Sequence, residues 1–119
     1  MITGIDHVQV AIPMGSEPSA REFYGTVLGM DEVPKPPALA VRGGCWFTAG
    51  NAVLHLGIEE PFAPAKKAHP AFLVTDLDAL EAVLVERGAS VIRSDGELPG
   101  IRRFHTFDPF GNRLEFQQA

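Results

Sequence analysis

Two stretches of the chain carry the same arrangement of residue types. The segments GNAVLHLG (50–57) and GNRLEFQQ (111–118) each open with a Gly-Asn pair and continue as a short apolar strand. Each places one side chain that can bind a metal between hydrophobic neighbours, His55 in the first segment and Glu115 in the second. Gly-Asn pairs are typical of turns, so both side chains are predicted to lie on strands that follow a turn.

Two further histidines stand at the start of strand-like segments, His7 in HVQVAIP (7–13) and His69 in HPAFLVTD (69–76). After each of these strands the chain has a helical segment and then several short strands. A recurrence of this kind, at a period of about 60 residues, indicates an internal repeat. The repeat predicts that the four side chains occupy equivalent positions in two related halves.

The two halves predict one domain, 1–119, made of two modules. Module one spans about 1–58 and module two about 69–119. The Pro- and charge-rich segment 59–68 is the predicted linker. The predicted helices are GSEPSAREFYGTVLG and DLDALEAVLVERG, the second with Thr75 as its N-cap. MDEVPK, LAVRG, GCWFTAG, NAVLHLGIE, ASVIRSD and RRFHTFD are predicted strands.

The alternation of polar and apolar residues predicts which face of each strand lines a site. His7 and Gln9 share one face of the first strand, and Glu115 lies opposite Leu114 and Phe116 in the last. We therefore expect an α+β fold with helices outside a curved mixed sheet, and polar side chains inside a cup. The two related halves would present equivalent positions to one centre.

His7, His55, His69 and Glu115 together are three imidazoles and one carboxylate. Such donors suit one divalent ion such as Zn, Ni, Fe, Mn or Co. A donor set of this size leaves room for water or substrate, as catalytic metals require. The predicted cofactor is therefore a divalent metal. Whether its site forms within one chain or across a dimer stays open.

The fourth histidine lies in RRFHTFDPFGN, where the length of the turn decides its orientation. If the turn centres on 109–111, His105 pairs opposite Glu115 and faces the site, with Arg103 on the same face. A turn one residue longer would instead place Phe104 inside. In the first register, His105 would serve as a proton shuttle or substrate contact, and Arg103 would hold an anionic substrate group or remain a solvated side chain.

Composition narrows the classes of function. A net charge of −5 argues against nucleic acid or an anionic membrane as partner. The first residues show no signal-peptide pattern, and no apolar run is long enough to span a membrane. The single cysteine, Cys45, fits a reducing cytoplasm, and we expect it to be buried and inert. Its neighbour Trp46 could line an aromatic pocket or pack in the core.

The segments DHVQVAIP, EFYGTVLGM, AVLHLGIE, HPAFLVTDLDAL and DPFGNRLEF resemble the vicinal oxygen chelate superfamily. This superfamily includes glyoxalase I, bleomycin-resistance proteins, fosfomycin-resistance enzymes, methylmalonyl-CoA epimerase and extradiol dioxygenases. The resemblance covers essentially the whole chain. It implies paired βαβββ modules, an open cup-shaped sheet and a homodimer. It also implies a metal held at His7, His55, His69 and Glu115.

The site residues of this chain differ from those of each family member with a known activity. Glyoxalase I is similar but has a carboxylate where this chain has His55, fosfomycin enzymes usually have threonine in place of Gln9, and extradiol dioxygenases are normally longer. Bleomycin-binding members lack the metal ligands.

The expected function is a glyoxalase-like metal-dependent lyase or isomerase acting on a small oxygen-bearing substrate. Glu115 and His105 are the predicted catalytic residues, and the predicted substrate contacts are Gln9, Arg103 and Trp46. The alternatives are an Fe(II)-dependent dioxygenase, a non-catalytic small-molecule-binding protein of the drug-resistance type, and a structural metal.

Overall fold

The computed structural model describes all residues, 1–119, as two compact units. The first unit is Met1–Ala63 and the second is Pro64–Ala119. The division lies inside the segment 59–68, which the sequence marks as a linker. None of the helices is long and apolar enough to cross a membrane.

The first unit contains one four-stranded sheet of order β1-β4-β3-β2. Strand β1 is parallel to β4, and the other neighbours are antiparallel. Its elements are β1 (Val8–Ile12), α1 (Glu17–Ala20), which continues as a π-helix over Arg21–Val27, β2 (Asp31–Val33), α2 (Pro37–Ala40), β3 (Cys45–Ala49) and β4 (Ala52–Ile58).

The second unit repeats this topology with a sheet of order β5-β8-β7-β6. Its first and last strands are again parallel, and the remaining pairs are antiparallel. Its elements are β5 (Ala71–Val74), α3 (Leu77–Glu86), β6 (Ile92–Arg93), β7 (Arg103–Phe107) and β8 (Arg113–Gln118). The predicted α+β fold with two repeated modules is confirmed.

The segment 39–43 (LAVRG), predicted as a strand, is not one. The residues Pro37–Ala40 form α2, and the chain then turns. Pro36 precedes this helix. Its carbonyl oxygen accepts hydrogen bonds from the backbone N–H groups of Leu39 and Ala40, at 2.9 Å each. A proline at the first helical position favours a helix start. Val41 is 87% exposed, so the apolar run does not reflect a buried strand.

The N-cap of α3 also differs from the prediction by one residue. Asp76, and not Thr75, caps this helix, and its Oδ1 accepts a hydrogen bond from the backbone N–H of Ala79 at 3.0 Å. Asp is a stronger capping residue than Thr because its carboxylate accepts the free N–H group and interacts favourably with the helix dipole.

Each unit buries its own apolar side chains on one face of its sheet. Ile12, Tyr24 and Leu54 are fully buried in the first unit, and Leu77 and Leu114 in the second. The strand alternation predicts this burial for Ile12, Leu54 and Leu114, whereas Tyr24 and Leu77 belong to the helices. It leaves the opposite faces free for polar side chains, and those faces carry the candidate site residues.

Gly44 lies where β3 approaches β4 and is expected to tolerate no side chain. Its φ is +81°, and a Cβ atom there would lie 2.1 Å from the backbone oxygen of Leu56. We expect Gly44→Ala to lower the free energy of unfolding by roughly 2 kcal/mol or more, because strain in φ adds to a backbone clash. Urea denaturation measures this change. Gly50→Ala is the control, since Gly50 has φ +55° with no atom within 4 Å. Equal losses in the two variants would contradict the prediction.

Cys45 is buried at 1% exposure on β3 and is expected to be unreactive in the folded protein. Burial raises the pKa of its thiol to about 11, and the nearby Arg21 opposes this only in part. Because the thiolate is the reactive form, we expect Ellman's reagent at pH 8 to react roughly 100-fold more slowly than with the unfolded chain. The comparison is made with and without guanidinium. Stoichiometric labelling of the folded protein at the unfolded rate would contradict this expectation.

Candidate metal centre

The turn between β7 and β8 is held by two buried side chains, Asp108 and Asn112. Asp108 Oδ1 accepts hydrogen bonds from the backbone N–H groups of Phe110 and Asn112 at 2.9 Å each. Asn112 Nδ2 donates to Asp108 Oδ2 at 3.0 Å. Gly111 completes the turn with φ +92°, a conformation that favours glycine. These contacts determine the length of the turn and therefore the register of the two strands.

In this register His105 pairs with Glu115, and Arg103 pairs with Gln117. The shorter of the two turns considered from the sequence is therefore confirmed, and the longer one is wrong. Phe104 is fully buried on the opposite face of β7. His105 is 7% exposed and Glu115 is 3% exposed, so both polar side chains are also buried.

His69 joins this pair because β5 runs parallel to β8. The backbone N–H of Glu115 donates to the carbonyl oxygen of Pro70 at 3.1 Å, which aligns the start of β5 with the middle of β8. His69 Nε2 lies 3.1 Å from Glu115 Oε1, and His105 Nε2 lies 3.0 Å from the same oxygen. The three potential ligand atoms all lie within 4.8 Å of one another, and together they form a possible metal site.

The hydrogen bonds of His69 define which of its nitrogens carries a proton. Nδ1 lies 2.8 Å from the carbonyl oxygen of Lys67, which can only accept, so Nδ1 must donate. In the neutral imidazole, Nε2 then carries a lone pair that faces the Glu115 carboxylate. Two acceptors face each other only if a second proton or a cation lies between them. A carbonyl that fixes the tautomer in this way is typical of a metal-binding histidine.

Glu115 also receives hydrogen bonds from two further side chains. Arg103 Nη1 donates to Oε1 at 3.3 Å, and Gln117 Nε2 donates to Oε2 at 2.6 Å. Burial raises the pKa of Glu115, but the bonds from Gln117, His69 and Arg103 outweigh it and lower the pKa to about 2. The carboxylate is therefore ionised at neutral pH.

His105, unlike Glu115, is uncharged at neutral pH. Its contact with Glu115 acts to raise its pKa, but burial, followed by the charge of Arg113, outweighs that contact and lowers the pKa. The imidazole of His105 is therefore neutral at neutral pH. An ionised carboxylate beside a neutral imidazole is the protonation state that binds a divalent cation.

The first unit holds a second group of predicted site residues as a stack of three rings. The rings of His7 and His55 lie 4.0 Å apart, and Trp46 lies 3.9 Å from His55 at an angle of 3°. Asp6 Oδ2 lies 2.9 Å from His7 Nδ1. Burial, and then the neighbouring His7, lowers the pKa of His55. Trp46 therefore packs flat on a histidine and is not part of the buried core.

Gln9, the remaining predicted substrate contact, pairs with His55 across β1 and β4. Its side chain packs over Gly57, where an added Cβ atom would meet the Gln9 amide at 3.0 Å. A larger residue at this position would push the Gln9 amide aside. Gln9 itself is exposed.

The structure thus brings His69, Glu115, His105 and Arg103 together in the second unit, and His7, His55, Trp46 and Gln9 in the first. His105 has the geometry of a metal ligand, a role that the sequence did not suggest for it. Gln117 makes the shortest hydrogen bond to the Glu115 carboxylate, and the sequence predicts no role for it. The spacing of the two residues along β8 was the available signal.

A family model, described as the Glyoxalase/Bleomycin resistance protein/Dioxygenase superfamily, matches residues 4–116. Among solved structures, a protein assigned to the glyoxalase family from Bacillus anthracis is 52% identical, with a TM-score of 0.92. That match covers 100% of this chain and 97% of the other. The search among curated proteins found no match.

Two other solved structures are more distant. TnmS3, an antibiotic binding protein from a Streptomyces species, is 26% identical with a TM-score of 0.71, and the match covers 99% of each chain. The fosfomycin resistance protein FosX from Listeria monocytogenes is 12% identical with a TM-score of 0.78. That match covers 100% of this chain and 95% of the other, and at this identity it shows only a shared fold.

Proposed function

Because the chain belongs to the Glyoxalase/Bleomycin resistance protein/Dioxygenase superfamily, we propose that it is a glyoxalase-like metal-dependent enzyme. The reaction class is a lyase or isomerase reaction on a small substrate that carries neighbouring oxygen atoms. Glu115 and His105 are the groups that would move a proton.

One observation carries the proposal. His69 Nδ1 donates to the Lys67 carbonyl, so Nε2 faces an ionised carboxylate 3.1 Å away and needs a second proton or a cation between the two atoms. A divalent cation would satisfy both groups, and His105 Nε2 provides a third donor beside the same oxygen. Zn, Ni, Co, Fe and Mn all accept imidazole and carboxylate donors. His7 and His55 stay predicted ligands from the family resemblance.

When bound, such a cation would polarise a substrate oxygen and stabilise negative charge that develops on it. The protein side chains orient the carboxylate for this role. Gln117 holds Oε2 and Arg103 holds Oε1, so the Glu115 side chain is restrained from both ends. Where His105 Nε2 keeps its hydrogen bond to this carboxylate and does not bind the cation, a proton can pass between the two groups without a large movement.

A second candidate is a small-molecule-binding protein without catalysis. The ring stack of His7, His55 and Trp46 favours it, because partly exposed aromatic rings are common in sites for planar ligands. The similarity to an antibiotic binding protein at 26% identity supports the same candidate. Homodimer assembly and a cytoplasmic location stay predictions.

Metal content tests the first part of the proposal. Protein purified without an affinity tag or chelator is analysed by elemental mass spectrometry, together with His69→Ala, His105→Ala, His7→Ala and His55→Ala. We expect about one divalent ion per chain in the parent protein, and loss of that ion in each of the four variants, because each removes a predicted ligand. A parent protein that binds no metal even after reconstitution would exclude this function. Fe(II) with oxygen uptake would instead favour the dioxygenase alternative.

Proton exchange separates an enzyme from a binding protein without knowledge of the full reaction. Small α-hydroxy carbonyl compounds are incubated in D₂O with metal-loaded protein, and loss of the α-proton signal is followed by NMR. We expect exchange that depends on both metal and protein. Tight metal binding without exchange of any compound would favour the binding protein.

A further inference from the structure

Arg103 is a firmly held cation beside the candidate metal centre. Its side chain is 16% exposed, and Nη1 donates to Glu115 Oε1 at 3.3 Å. Its Nε is buried and has no hydrogen-bond partner. Nη2 forms an ion pair with Glu97 Oε2 at 3.1 Å. The guanidinium therefore bridges the candidate metal centre and a carboxylate from a different segment of the second unit.

Glu97, in contrast, is held loosely. It lies in the loop between β6 and β7, and its side chain is 67% exposed. Gly96 and Gly100, on either side of it, have positive φ values of +90° and +75°. Ion pairs with an exposed partner contribute little to stability, because water competes for the charge. The carboxylate on Nη2 can therefore be exchanged for another at small cost.

The charges at this point favour an anionic ligand. Glu115 carries one negative charge, and Arg103 carries one positive charge against it. A divalent cation on Glu115 and two neutral imidazoles would leave the cluster with excess positive charge. A guanidinium N–H forms a strong charge-assisted hydrogen bond to a carboxylate. A carboxylate oxygen, Glu97 Oε2, already contacts Nη2 of Arg103, which identifies the chemistry that this nitrogen accepts.

We propose that Arg103 binds the carboxylate of the substrate, a small 2-oxo or 2-hydroxy carboxylate, and that Glu97 occupies this position in the free protein. The inference rests on the proposed function and names its substrate class. Nη1 contacts the same Glu115 oxygen that faces His69 and His105. A group bound to Arg103 is thus adjacent to the metal ligands. The carboxylate of the substrate must therefore be bonded next to the carbon that carries the metal-binding oxygen.

Isothermal titration with pyruvate tests this assignment, with pyruvamide as a probe of similar size that lacks the charge. Both probes are titrated into metal-saturated and metal-free protein, and the metal affinity of each variant is measured separately. We expect Glu97→Gln to tighten pyruvate binding by about 2- to 5-fold, since it removes a competing carboxylate. Arg103→Gln is expected to weaken pyruvate binding by about 10-fold or more, and Arg103→Lys by less. Binding of pyruvamide should not change.

Glu86→Gln is the matched control, because it removes the same charge from an exposed position at the end of α3. Its pyruvate affinity should equal that of the parent protein. Unchanged pyruvate affinity in the Glu97 and Arg103 variants, or no pyruvate binding by the parent, would overturn the inference. A failure to bind metal would instead count against the proposed function. In that case the inference is tested on metal-free protein alone: pyruvate binding that weakens in Arg103→Gln and tightens in Glu97→Gln would still support it.

Discussion

Replacing Glu115 by glutamine is expected to lower the affinity for a divalent cation by about 100-fold or more. The carboxylate is the single negative charge among the three potential ligands. Its Oε1 faces His69 Nε2 and His105 Nε2 at 3.1 and 3.0 Å, so it is the atom that joins the two imidazoles. Glutamine keeps the shape and one oxygen but removes the charge, and a neutral amide is a much weaker ligand.

Titration calorimetry with Co²⁺ or Zn²⁺ measures this affinity, and thermal unfolding provides a second readout. A cation at 100 times its dissociation constant stabilises a folded protein by about 2.7 kcal/mol. We expect this stabilisation in the parent protein and in Glu86→Gln, and no more than about 0.4 kcal/mol in Glu115→Gln at the same cation concentration. A Glu115→Gln protein that binds the cation as tightly as the parent would exclude Glu115 as a ligand.

Phe104→Ala is expected to lower the free energy of unfolding by about 3–5 kcal/mol, more than Gly44→Ala does. Phe104 is fully buried, and its ring lies 5.6 Å from that of Phe116. Arg93 lies over the ring at 5.8 Å to the centroid. Truncation removes the transfer free energy of the ring and leaves a cavity, because the paired strands β7 and β8 cannot collapse around it.

The midpoint of urea denaturation measures this loss, and Leu73→Ala is the control. Leu73 is a large apolar residue of the same unit but is 71% exposed on β5, so its truncation should change stability by less than about 0.5 kcal/mol. Similar losses in the two variants would show that Phe104 does not pack as the structure describes.

Much of the fold follows from local patterns in the sequence. The alternation in segments such as RLEFQQ separates Leu114 and Phe116, which are buried as apolar residues, from Glu115 on the other face. The turn residues Asp108 to Asn112 mark the end of one strand and the start of the next. Such signals are local, so a sequence carries them without knowledge of the tertiary structure. The prediction of a strand at 39–43 is wrong because the length of this short run suits a strand and a helical turn equally.

The amino-acid sequence was enough to establish the repeated module, the α+β fold and the types of side chain that could bind a metal, because each depends on residue type and spacing. Three features depended on folding. The turn length placed His105 beside Glu115, the Lys67 carbonyl selected the tautomer of His69, and the loop before β7 brought Glu97 to Arg103. Each is a contact between atoms whose positions follow from strand register and loop conformation. A shift of one residue would turn these side chains to the opposite face of the sheet.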